Sequence, residues 1–151
     1  MAYDLAKRSG AIVDGIDWNE ENIIKAKQLF SHPQLNFKVG DALKLTDGKQ
    51  YDTVILSNVL EHLEARPSFL KRIQNITRAK RILIRVPLFE REWRVPLKKE
   101  LGVDWRLDPD HKTEYTMEGF VREMEQADLI ITHQEVRWGE IWCELIPNSS
   151  Q

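Results

Sequence analysis

Apolar positions along the chain switch between two spacings. Short β-branched runs alternate with stretches of three-and-four spacing, the signature of strands interleaved with helices. Residues 2–9 read as a helix, with Leu5 apolar, Lys7 and Arg8 near its end, and Gly10 as a stop. Residues 11–17 read as a strand. Asn19 suits an N-cap, Glu20 and Glu21 favour a first turn, and Ile23, Ile24, Ala26, Lys27 and Phe30 line one stripe of a helix ended by Pro33. Residues 35–39 form a second strand, closed by Gly40, Asp41 and Ala42, and residues 51–57 a third. Pro67 suits a first helical turn, and Phe69, Leu70, Ile73 and Ile76 share a face. Residues 81–86 form a fourth strand ended by Pro87. Residues 88–115 read as irregular. Thr116 caps a helix carrying Phe120, Val121, Met124 and Ala127, and residues 129–136 and 141–146 read as two last strands joined near Gly139.

Strand–helix–strand units predict an α/β, mostly parallel sheet with helices on both faces. The two terminal strands lack a helix between them and are expected to be antiparallel. Ligands of such sheets bind outside the carboxyl ends of the strands, here at 17–18, 41–42, 57–59 and 87–88.

Composition narrows the function. At 151 residues the chain suits one domain, expected over 1–147 with a polar tail at 148–151. With 42% hydrophobic and 30% charged residues it has an ordinary globular balance. Lys and Arg number 22 against 24 Asp and Glu, a net charge of −2, so no basic field points to nucleic acid. No apolar run is long enough to span a membrane, and the first residues lack a signal-type apolar region. A single cysteine, Cys143, excludes an internal disulfide and a cysteine-based zinc site, and a cytoplasmic setting is expected.

Asp17 ends a strand and precedes a helix. A carboxylate there can accept hydrogen bonds from a ribose diol, or cap the helix. Trp18 beside it offers a flat surface for an adenine, or packs as a half-buried aromatic. Asp41, at the next strand end, can accept from an exocyclic amine while the Ala42 N–H donates to a ring nitrogen; alternatively it is a turn aspartate. Gly40 permits close approach.

These residues, in order, resemble the class I S-adenosylmethionine-dependent methyltransferases that act on small molecules. The similarity runs through Val13-Asp14-Gly15-Ile16-Asp17 with the helix at 20–30, and through Val39-Gly40-Asp41-Ala42. It continues along Tyr51 to Ser57 and Asn58-Val59-Leu60-Glu61-His62-Leu63, and the stretch 110–116 resembles the family segment ahead of its last helix. The resemblance implies a Rossmann-like methyltransferase sheet with S-adenosylmethionine as cofactor. It implies Asp17, Trp18, Asp41, Ala42, Asn58 and Val59 as cofactor-binding residues, and a small-molecule methyl acceptor.

One departure stands out. The family's first strand and its acidic–x–Gly–x–Gly loop are missing, so the chain reads as an N-terminally truncated methyltransferase. The strands at 11–16 and 51–57 should then present open edges, which predicts a homo-oligomer and weak or absent activity.

Methyl transfer needs an aligned nucleophile and, for some acceptors, a base. His62 is the candidate catalytic base; otherwise Glu61 and His62 orient the loop. Glu61, Arg91, Trp93 and His111 are candidate substrate contacts. The basic, aromatic stretch 88–112 can recognise an acidic or sugar-bearing substrate, or lie solvated with its aromatics on the core. His32 reads as a turn residue and His133 as a strand residue. No His/Asp/Glu spacing suggests a metal. The competing readings are a non-catalytic interaction module derived from a methyltransferase and an NAD-dependent oxidoreductase.

Overall fold

A computed structural model describes residues 1–44, 46, 48–106 and 108–148. The chain forms two compact units, Met1–Asp47 and Gly48–Gln151, each described by itself.

The first unit is a helix followed by a β–α–β element. Helix α1 (Ala2–Ser9) ends at Gly10, whose φ of 68° lets its N–H return to the Ala6 carbonyl. Strand β1 (Val13–Asp17) pairs in parallel with β2 (Leu35–Val39), and α2 (Glu20–Leu29) connects them. Asn19 caps α2 by accepting from the Glu21 and Asn22 N–H groups, as its position predicts. Gly15 lies opposite Phe37, and a Cβ added at Gly15 would come within 2.8 Å of that ring. The glycine therefore makes room for the aromatic.

The second unit holds one four-stranded sheet, ordered β3 (Thr53–Ser57), β4 (Arg81–Pro87), β6 (Glu140–Pro147), β5 (Leu129–Arg137). β3 and β4 are parallel, joined through α3 (Arg66–Thr77), whereas β6 is antiparallel to both β4 and β5. The α/β, Rossmann-like arrangement is the expected one. Its parallel character is limited to β1/β2 and β3/β4, because β6 inserts between β4 and β5 and makes the larger sheet mostly antiparallel. Alternation builds the core: Ile82, Ile84 and Val86 of β4 stand directly opposite Leu145, Cys143 and Ile141 of β6, and all six are buried. Phe69, Leu70 and Ile73 of α3 and Phe120 and Met124 of α5 (Met117–Gln126) are buried as well.

The stretch expected to be irregular contains a helix, α4 (Arg94–Glu100), anchored by the buried Val95. Pro96 stands at its third residue, where the missing N–H would have no helical partner in any case. Its aromatics are matched to its own cations. Phe89 and Trp105 meet edge to face at 5.7 Å, and the Lys99 ammonium lies 5.2 and 4.9 Å from their two centroids.

Among the described residues, β1 ladders only with β2, and β3 only with β4. Each therefore has one side without a ladder partner among the described residues.

Candidate functional site

In the first unit, chemistry gathers at the carboxyl ends of β1 and β2. Asp17 stands opposite Val39, and the Gly40 N–H donates to the Asp17 carbonyl at 2.9 Å, so Asp41 follows immediately beside the end of β1. The Asp17 carboxylate accepts from the Asn19 N–H at 2.8 Å and from Asn22 Nδ2 at 3.0 Å. It thus fixes the turn into α2, while each oxygen keeps further acceptor capacity. Trp18 is 78% exposed, not half-buried. Asp41 accepts from the Leu43 N–H at 2.9 Å and pairs with Lys44 at 3.3 Å, and Ala42 opens a 3-10 turn.

In the second unit, the chain leaves β3 through Asn58, whose φ of 54° is left-handed, and enters a 3-10 turn at Leu60–His62. The Asn58 N–H donates to the Arg85 carbonyl, and its side-chain oxygen accepts from Arg85 Nε at 2.9 Å. The Asn58 side chain also hydrogen-bonds Glu61, so the side chain is already engaged. Val59 caps the turn, and Leu60 beneath it is fully buried.

That turn carries Glu61 and His62 side by side, and a distant loop delivers His111 to them. The Lys112 and Thr113 N–H groups both donate to the Glu61 carbonyl, at 2.7 and 3.3 Å. One ligating atom each from Glu61, His62 and His111 then lies within 4.8 Å of the others. The His62 and His111 rings meet edge to face at 5.0 Å. Glu61 is 1% exposed and its Oε2 has no hydrogen-bond partner. Burial raises its carboxyl above the ordinary range, partly opposed by the Asn58 hydrogen bond and the two histidines. No His/Asp/Glu spacing in the sequence suggests this trio, because loop closure onto the Glu61 carbonyl, not sequence spacing, brings the three together.

A second, part-buried network flanks it. Arg66 Nε donates to both oxygens of Glu123, at 3.0 and 2.9 Å, and the Tyr115 hydroxyl donates to the same carboxylate at 2.9 Å. The Glu123 hydrogen bonds hold the Arg66 guanidinium above its ordinary range, and burial raises the Tyr115 hydroxyl. No motif marks this network. Arg91 and Trp93 are both exposed, Trp93 at 71%.

Comparison with known proteins supplies the lineage. The family profile described as "Methyltransferase domain" matches residues 1–84. No curated protein matches the chain. Among solved structures, the magnesium protoporphyrin IX methyltransferase of Synechocystis PCC 6803, with bound SAH, is 22% identical at a TM-score of 0.70, covering 97% of this chain and 68% of that one. An S-adenosylmethionine-dependent methyltransferase of Mesorhizobium loti is 13% identical at a TM-score of 0.70, covering 90% of this chain and 80% of that one. The Burkholderia thailandensis 1,6-didemethyltoxoflavin-N1-methyltransferase, with that compound and S-adenosylhomocysteine bound, is 14% identical at 0.65, covering 93% and 63%. With the profile matched over more than half its length, the chain belongs to the methyltransferase-domain family of class I S-adenosylmethionine-dependent enzymes.

Proposed function

We propose that the chain binds S-adenosylmethionine and serves methyl transfer to a small-molecule acceptor. The carrying observation is the pair of carboxylates at adjacent strand ends, which the bond from the Gly40 N–H to the Asp17 carbonyl joins through the backbone. Asp17 accepts from the ribose hydroxyls with the capacity its turn bonds leave free. Asp41 accepts from the adenine amine, the Ala42 N–H donates to a ring nitrogen, and the exposed Trp18 indole covers the base. This donor and acceptor set fits the adenosine half of the cofactor. When bound, the cofactor supplies an electrophilic methyl group on a sulfonium.

In the second unit, Asn58 and Val59 offer backbone at the end of β3. Glu61, His62 and His111 face the acceptor, with His62 the candidate to take up a proton from a hydroxyl or amine when no ion holds its ring. Arg91 and Trp93 are exposed and available to an anionic or flat acceptor.

The methionine half finds less. None of the seven glycines forms a Gly-x-Gly pair; Gly10 ends α1 and Gly15 lies within β1. The 151-residue chain alone should therefore turn over below about 1 per second. The unpaired sides of β1 and β3 support association of copies by strand addition. Light scattering should find a species heavier than the 17.7 kDa protomer; a clean monomer contradicts that part.

Calorimetric titration tests the cofactor reading. Heat of binding with S-adenosylhomocysteine and none with NAD is expected. Binding of NAD without S-adenosylhomocysteine overturns it.

A further inference from the structure

The cluster at the end of β3 has the composition of a metal site. Two imidazoles and one carboxylate converge within 4.8 Å, and the carboxylate is buried with one oxygen unsatisfied. A buried anionic oxygen without a partner is costly, and structures normally answer it with a donor, a water or a cation. Two of the neighbours of this carboxylate are histidines, which are themselves metal ligands.

A second relationship points the same way. His111 Nδ1 lies 2.7 Å from Glu114 Oε1, with both side chains buried. Nδ1 is engaged by Glu114, which leaves Nε2 as the ring nitrogen available to an ion. Metal-ligating histidines are oriented by such a carboxylate. We propose that Glu61, His62 and His111 together bind one divalent transition-metal ion, with Glu114 as the positioning residue for His111.

The geometry is close to what an ion needs. Ligands about 2.1 Å from one metal are at most about 4.2 Å apart, so a trio spread over 4.8 Å closes by at least about 0.6 Å on binding. His62, the half-buried member, supplies that motion. Two nitrogens and one oxygen suit zinc, cobalt(II) or iron(II), whereas magnesium and calcium prefer all-oxygen sets. Three protein ligands leave a coordination position for a small ligand. His111 also lines an open cleft of about 480 Å³ with Glu64, Arg66, Arg106 and Lys112, so that ring is reached from solvent. Metal binding here stands whether or not the chain transfers methyl groups.

Cobalt(II) is the probe, added to chelator-treated protein and followed by visible absorption and calorimetry. One equivalent is expected to bind, to be displaced by zinc, and to resist excess magnesium. His62→Ala and the isosteric Glu61→Gln should each weaken binding at least tenfold, with circular dichroism unchanged for His62→Ala. Glu114→Gln should retain the ion with about 10-fold to 100-fold lower affinity. No cobalt binding, equal binding by His62→Ala, or displacement by magnesium overturns the proposal.

Discussion

His111 Nδ1 and Glu114 Oε1 lie 2.7 Å apart, in a loop pinned to the Glu61 carbonyl by the next two backbone N–H groups. The carboxylate can accept only if the ring presents a proton at Nδ1. In the neutral ring, nitrogen NMR of the metal-free protein should therefore show His111 protonated at Nδ1 and bare at Nε2. Glu114→Gln should shift the ring to a mixture of tautomers. An Nε2–H tautomer in the unaltered protein contradicts the assignment.

The Arg66–Glu123–Tyr115 network joins the start of α3 to α5, with the Arg66 and Glu123 side chains 16% and 17% exposed. Removing one charge of a part-buried pair strands the other. Glu123→Gln should cost about 3 kcal/mol of stability, and Tyr115→Phe, which removes one hydroxyl bond, about 1 kcal/mol. Urea unfolding measures both. A Glu123→Gln loss no larger than that of Tyr115→Phe would show that the charge contributes nothing.

Cys143 is buried in the centre of β6, and its thiol is pushed up to about 12, first by burial and then by the Glu144 charge. The thiolate is the reactive form, and the folded protein holds the proton well above the pH at which an unfolded thiol releases it. At pH 8, iodoacetamide should modify Cys143 slowly in the native protein and readily in urea. Equal rates in both conditions contradict this burial.

Much of this was legible locally. Asn19 and Thr116 cap as their positions predict, since a cap depends on only three residues. Asp17 and Asp41 were readable because a strand end is marked by where a β-branched run stops. The histidine cluster was not, because His111 reaches Glu61 only through backbone bonds between distant segments. Arg85 likewise sits inside a strand, and nothing local says that it holds Asn58. The place of β6 between β4 and β5 is a matter of tertiary pairing.

The carboxylates at the ends of β1 and β2 carry the functional account, so the direct measurement is S-adenosylhomocysteine titration into the unaltered chain, Asp17→Ala and Asp41→Ala. Loss of a charge-assisted hydrogen bond costs about 1.5–3 kcal/mol, so each variant should bind about tenfold more weakly or worse, with circular dichroism unchanged. Affinity equal to that of the unaltered chain in both variants, with the fold intact, would contradict the account.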